Sequence, residues 1–140
     1  MSLRTSSVSI FNASSESKID PAFADLARRK IGAVFVNADP LYTVNSRKIV
    51  ALAARHAMLT VTSWEGFTAD GGLISYGTSI NEANRQLGVY TGRVLKGTRP
   101  GDLPVAQSTK FHLVINLKTA KALGLTIPPS LLARADQVIE

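Results

Sequence analysis

The chain contains no cysteine, few aromatic residues and no apolar run that approaches the length of a membrane helix. The absence of cysteine excludes disulfide bonds, thiolate zinc sites and cysteine nucleophiles. A membrane helix needs about 20 predominantly apolar residues, and the N-terminal stretch MSLRTSSVSIFNASS lacks the apolar core of a signal peptide. The 140 residues, 45% of them hydrophobic, suffice for one globular domain. We interpret residues 1–6 as leader residues and residues 7–140 as a single domain.

The formal charge of +6 raises the possibility of an anionic partner. The cations occur singly or in short groups, such as residues 28–30 and 47–48, near the ends of predicted helices. Cations are favourable there because they interact with the last carbonyl groups of the helix. No aromatic residues are interleaved with them, as they are in many nucleic-acid-binding surfaces. We therefore expect no nucleic-acid partner.

Hydrophobic periodicity alternates along the chain between the patterns of strands and of helices. The predicted strands are residues 7–11, 31–36, 58–64, 73–77 and 111–115. The predicted helices are residues 16–30, 46–57, 79–97, 116–123 and 127–139, the last of which begins with prolines. The first has Ile19, Phe23 and Leu26 on one face, and residues 116–123 form a short capped helix. Strands joined by helices of this length form right-handed crossovers and parallel sheets. The predicted fold class is α/β, a doubly wound (Rossmann-like), mainly parallel sheet with helices on both faces.

Ligands of such sheets bind beyond the carboxyl ends of the strands. Polar residues that follow the predicted strands could hydrogen-bond a ligand there, and two aromatic residues could stack on an apolar part of it. The polar residues are Asn37, Asp39, Glu65 and Thr78, and the aromatic residues are Trp64 and Tyr76. Each has a purely structural alternative, since Asn-x-Asp-Pro is common turn and cap chemistry and a single tryptophan often packs in a core.

Signals for catalysis are weak. The chain has no phosphate-binding glycine loop after the first strand, no Gly-x-Ser-x-Gly turn and no His-Glu-x-x-His motif. His56 and His112 have no nucleophile or ligand-spaced partner nearby in the sequence. We therefore expect a protein that is not an enzyme, with no catalytic residue, no metal site and no cofactor.

The segments VLKGTRPGDLPV and TKFHLVINLKTAKALGLTIPPSLLARADQVIE closely resemble the C-terminal signature of ABC-transporter substrate-binding proteins, in the family that includes aromatic-amino-acid binders. The similarity continues upstream through FADLARRKIGAVFVNADP, ALAARHAMLTVTSW and GGLISYGTSINEANRQLGVYTGRVLKG. The resemblance implies the second lobe of a two-lobed periplasmic binding protein of type 1, without its first lobe. It also implies binding of a small solute, an ABC permease as partner and a periplasmic or other extracytoplasmic location.

Carried over by position, the resemblance places six residues at the cleft of the second lobe: Asn37, Asp39, Ser63, Trp64, Tyr76 and Gly77. With Thr78 they form the predicted ligand site. The chain departs from the common family pattern at residues 106–108 and at His112, where an acidic residue is usual. These departures are expected to lie away from the cleft. Because half a cleft leaves part of the ligand in water, binding is expected to be weak.

Two structural expectations follow from the resemblance. Residues 7–11 should pair in parallel with residues 31–36, because a central strand of the family's second lobe has no counterpart here. The helix of residues 80–96 should lack its usual packing surface and form a homodimer through Ile80, Leu87, Tyr90 and Val94. Two other functions stay open: the effector-binding part of a LacI-like transcription regulator, and a small doubly wound metabolic enzyme.

Overall fold

The computed structural model describes residues 8–106 and 110–140. The strands are β1 (Ala33–Val36), β2 (Leu59–Thr62), β3 (Ile74–Thr78), β4 (Phe111–Asn116) and β5 (Gln137–Ile139). The helices are α1 (Ile19–Arg28), α2 (Pro40–Val44), α3 (Ser46–Arg55), α4 (Glu65–Ala69), α5 (Ile80–Leu95), α6 (Leu117–Ala122) and α7 (Pro129–Leu132). Single 3-10 turns cover Glu16–Lys18 and Pro100–Asp102.

The five strands form one sheet in the order β1-β2-β3-β4-β5. β1, β2 and β3 are parallel, β4 is antiparallel to β3, and β5 is parallel to β4. The predicted fold class, a mainly parallel α/β sheet, is confirmed. Because β4 runs against β3, its first residues lie beside the carboxyl end of β3, where Thr78 pairs with Phe111.

The main core lies between one face of the sheet and the helices α1, α3 and α4. α1 contributes Ile19, Phe23 and Leu26, the apolar stripe predicted for this segment. Ile49 from α3 and Phe67 from α4 are also fully buried, and they belong to the same cluster. Burying a side chain of this size contributes on the order of 2 kcal/mol, so this cluster accounts for much of the stability of the domain.

A buried asparagine fastens the C-terminal part of the chain to α4. Nδ2 of Asn116 donates a hydrogen bond to the carbonyl of Thr68 at 3.1 Å. Oδ1 of Asn116 accepts one from the backbone N–H of Thr119 at 3.0 Å and so caps α6, as its sequence predicted. The hydroxyl of Thr119 donates in turn to the carbonyl of Gly71 at 2.8 Å. β4 and α6 are thereby held against the loop that leads into β3.

The predicted strand of residues 7–11 is wrong. Residues 8–11 have no strand conformation, and Ser7 lies outside the described residues. Phe11 packs against the core and under the guanidinium of Arg29, whose carbon lies 5.1 Å from the ring centroid. Val8 and Ile10 are exposed. Phe11 therefore anchors this segment by side-chain packing without placing its backbone in the ladder, and β1 is an edge strand.

The predicted C-terminal helix of residues 127–139 is also wrong. Only α7 forms, and the chain then continues as strand β5. Asp136 explains the change, because its carboxylate accepts a hydrogen bond from the N–H of Leu113 and its own N–H donates to the carbonyl of Leu113. These bonds draw the chain alongside β4. The β-branched residues Val138 and Ile139 favour the strand that follows.

Candidate functional site

The carboxyl ends of β1, β2 and β3 meet at one edge of the sheet, as expected for parallel strands. The hydroxyl of Thr62, at the end of β2, donates to the carbonyl of Val36, at the end of β1, over 3.0 Å. This buried bond fixes the two strand ends side by side. All seven predicted site residues lie at or just beyond this edge: Asn37, Asp39, Ser63, Trp64, Tyr76, Gly77 and Thr78.

Gly77 allows the chain after β2 to approach β3 very closely. A Cβ atom at this position would lie 1.9 Å from the carbonyl oxygen of Ser63, a distance that no side chain tolerates. Gly77 is therefore required for packing, and it sets the position of Ser63. Ser63 itself is half-buried, whereas Thr78 at the end of β3 is exposed.

The aromatic residues of the edge are divided between the two faces of the sheet. Tyr76 is 55% exposed and stacks on Phe111, with ring centroids 5.5 Å apart and planes inclined by 23°. Trp64 packs edge-on against the buried ring of Phe67, with centroids 5.1 Å apart. Successive strand residues point to opposite faces, and α4 carries Phe67 on the face opposite to Tyr76. Tyr76 and Phe111 thus form an aromatic wall available to a ligand, whereas the side chain of Trp64 is partly buried against the core.

The polar residues after β1 are shaped by local helix capping. The carboxylate of Asp39 accepts a hydrogen bond from the N–H of Leu41 at 2.8 Å and caps α2. The carbonyl of Asp39 also accepts bonds from the N–H and hydroxyl of Thr43. Asp39 therefore has the structural role that the Asn-x-Asp-Pro sequence left open, although the residue remains exposed, as does Asn37.

Sequence reasoning missed the contribution of β4 to the edge. His112 pairs in register with Gly77, and its Nδ1 lies 2.9 Å from Oε1 of Glu65, the first residue of α4. The prediction that the departure at His112 lies away from the cleft edge is therefore wrong. The antiparallel direction of β4, which brings Phe111 and His112 to the carboxyl end of β3, was the missing information. Of the other departures, Ala106 is exposed, and residues 107 and 108 lie outside the described residues.

Chemically, the edge combines an exposed aromatic stack, hydroxyl groups and strand-end backbone groups. This combination suits a small solute that has an apolar or aromatic part and several hydrogen-bonding groups.

A family model described as ABC transporter substrate binding protein matches residues 4–139. The chain belongs to this family. The predicted resemblance is confirmed, and the family consists of binding proteins rather than enzymes.

Relatives of the substrate-binding family also match individually. The chain is 27% identical over 112 residues to a tyrosine-binding protein of Clostridioides difficile, which covers 80% of this chain and 32% of the relative. A Streptococcus pneumoniae structure described as an ABC domain in complex with L-Trp is 29% identical, with a TM-score of 0.85. A conserved domain protein from Vibrio cholerae is 25% identical, with a TM-score of 0.83. These two structures cover 92% and 90% of this chain.

The chain spans about a third of the length of the tyrosine-binding relative and 42–43% of the two solved structures. Proteins of this family are extracytoplasmic in general. Among the helices of the described residues, none has the length and apolar character needed to cross a membrane.

Proposed function

We propose that the chain is the solute-binding lobe of an ABC importer's receptor, and that the strand edge binds a small amino-acid-like solute with an aromatic or apolar side chain. The observation that carries this proposal is the exposed stack of Tyr76 and Phe111 beside Thr78 at the carboxyl end of β3. An aromatic wall of this kind can receive a planar side chain by offset stacking. In this proposal, the hydroxyl of the exposed Thr78 hydrogen-bonds the polar end of the solute.

The relatives support the aromatic preference, because one is named as a tyrosine binder and another was solved with L-Trp. The partners that follow from the proposal are the free solute and an ABC permease, in an extracytoplasmic compartment. A single lobe provides one wall of a cleft, so much of the bound solute stays in water. We therefore expect dissociation constants of roughly 10 μM to 1 mM.

The binding test uses the only tryptophan of the chain, Trp64, as a reporter at the edge. Titration with L-tyrosine and L-phenylalanine should change the emission of Trp64 and give heat in calorimetry, whereas L-glutamate should give neither. Tyr76→Ala should weaken binding at least several-fold because it removes the aromatic wall. Val44→Ala, at an exposed position on α2, is the control and should bind like the parent chain.

Two results would contradict the proposal. Equal binding of L-glutamate and L-tyrosine would show that the aromatic wall does not select the solute. Submicromolar affinity that is unchanged in Tyr76→Ala and in Trp64→Ala would show that the solute binds elsewhere.

A further inference from the structure

The start of α4 and the start of β4 meet at the strand edge through one acidic and one basic side chain. Nδ1 of His112 lies 2.9 Å from Oε1 of Glu65. Both side chains are partly exposed, but Oε1 itself is shielded from solvent and accepts no hydrogen bond from the residues that the structure describes. A shielded carboxylate oxygen is unfavourable unless a donor reaches it. Nδ1 of His112 is close enough to supply that donor after a small rotation of the ring.

The Glu65–His112 pair completes a closed ring of contacts at the strand edge. Bonds along the chain join some members of the ring, and three contacts join the others: the pair itself, the aromatic stack, and the close approach of β3 to the turn after β2. The members are Ser63, Trp64, Glu65, His112, Phe111, Tyr76 and Gly77. The pair therefore helps to fix the position of the turn after β2 relative to the aromatic wall.

The strength of this pair depends on a proton. Histidine is the side chain whose charge ordinarily changes between pH 5 and pH 8. A neutral imidazole donates from Nδ1 in only one of its two tautomers, whereas a protonated imidazole donates from both nitrogens. A hydrogen bond between two charged groups is also about twice as strong as one between neutral groups. The contact between α4 and β4 should therefore be strongest on the acid side of this range and weaken as the pH rises.

The other charged or titratable groups near His112 have partners elsewhere. They are Tyr76 on β3, Asp70 after α4, Lys110 before β4, Asp136 before β5, and Glu82 and Arg85 on α5. The two aspartates are bonded to the backbone N–H of Leu113 and to side chains of α3. The tyrosine points to the opposite face of the sheet. The remaining three interact with one another, because hydrogen bonds from Arg85 lower the pKa of Glu82 and the charge of Lys110 lowers it further. Glu65 is thus the acidic group that faces His112.

We propose that His112 is a positioning residue, which in its protonated form pairs with Glu65 and ties the start of β4 to the turn after β2. On the acid side of the range the tie holds Trp64 in a fixed position relative to Phe111. A wall that is already ordered loses less conformational freedom when a solute binds, so the solute should bind more tightly at acid pH. This last consequence rests on the proposed function, whereas the proton-dependent tie does not.

A double-mutant cycle tests the tie without any solute. Urea unfolding of the parent chain, Glu65→Gln, His112→Gln and the double variant gives the coupling between the two side chains. At pH 5.5 the coupling should change the unfolding equilibrium constant about two- to fivefold, and at pH 8 it should approach no change. His56→Gln is the matched control, because it removes the only other histidine, which lies at the amino end of β2. Its cycle with Glu65→Gln should show no coupling at either pH.

Titration with L-phenylalanine at the same two pH values tests the effect on the site. The parent chain should bind about two- to fivefold more tightly at pH 5.5, and His112→Gln should bind equally at both. Coupling that is the same at both pH values, or equally large in the His56→Gln cycle, would overturn the tie.

The two proposals fail in different ways. Binding that requires Tyr76 but has no pH dependence in the parent chain would overturn the effect of His112 on the site and leave the proposed function intact. If L-phenylalanine does not bind and the coupling keeps its pH dependence, the tie stands and the proposed function fails.

Discussion

The two faces of the sheet differ in how their apolar side chains are covered. On the face packed by α1, α3 and α4, Phe67 and Ile49 have almost no contact with water. On the other face, which we call the open face, Phe35 and Tyr76 are more than half exposed, and no residue of α5 is buried. The packed face therefore stabilises the fold of a single chain. The open face and α5 contribute little apolar burial among the described residues.

Substitution of one phenylalanine on each face gives the largest expected effect. Phe67→Ala should lower the free energy of unfolding by about 3–5 kcal/mol, because it removes a fully buried ring and leaves a cavity. This loss should not depend on protein concentration. Phe35→Ala should cost no more than about 0.5 kcal/mol, because the side chain of Phe35 is mostly exposed to solvent. Urea unfolding at several protein concentrations measures both.

A concentration-dependent loss in Phe67→Ala would place this residue in an interface and contradict the division between the two faces. A large loss in Phe35→Ala at the lowest concentration would show that the open face is covered within one chain.

Two glycine substitutions test the same comparison. Their expected effects on stability are smaller, and one is opposite in sign to the other. Gly77→Ala should destabilise the chain by about 1–3 kcal/mol, since the added Cβ collides with the carbonyl of Ser63 and forces β2 and β3 apart. Gly88→Ala in α5 should stabilise the dilute chain by about 0.5–1 kcal/mol, because nothing lies within 4 Å of the new Cβ and alanine favours the helix. Thermal unfolding followed by circular dichroism measures both. Equal changes in stability for Gly77→Ala and Gly88→Ala would contradict the contrast between the packed sheet edge at Gly77 and the exposed helix α5.

The sequence predicted the parts of the fold whose signals are local. The apolar stripe of Ile19, Phe23 and Leu26 identified α1, and Asn116 identified the start of α6. The predictions for residues 7–11 and 127–139 failed because contacts distant in sequence decide those segments: the packing of Phe11 on the core in the first, and hydrogen bonds to Leu113 in the second. Asp136 pairs with Leu113 from 23 positions away, and no local pattern reveals that contact.

The candidate site shows the same division between local and long-range information. The segments after β1 and β2 were identifiable because ligands of parallel sheets lie beyond strand ends. Phe111 and His112 were not identifiable, since their position depends on the direction of β4. The roles of Trp64 and Asp39 also needed contacts at atomic detail: a tryptophan at an edge could face the ligand or the core, and here it packs on Phe67.

The smallest expected effect concerns an exposed ion pair that joins two helices of the packed face. Nζ of Lys48 on α3 lies 2.8 Å from Oδ2 of Asp20 on α1 and 3.7 Å from Oε1 of Glu16. The hydrogen bond from Lys48 lowers the pKa of Asp20 below its ordinary value of 3.8, and the same bond raises the pKa of Lys48 above 10.5. The contribution of Asp20 to stability is therefore present above its ordinary pKa and lost as the pH falls through the lowered one. The contribution of Lys48 is present below 10.5 and lost as the pH rises through the raised pKa.

Lys48→Met should accordingly be slightly less stable than the parent chain between about pH 5 and pH 10, and the difference should shrink at both extremes. It should also shrink in high salt, because salt screens exposed charges. Chemical unfolding across this pH range measures the difference, with Lys118→Met on α6 as the matched control. The control removes the charge of an exposed lysine on α6 without touching the contact between α1 and α3. A difference for Lys48→Met that stays constant from acid to alkali would show that the pair adds nothing to the packing of α1 on α3, which would then rest on apolar contacts such as those of Ile19, Phe23 and Ile49.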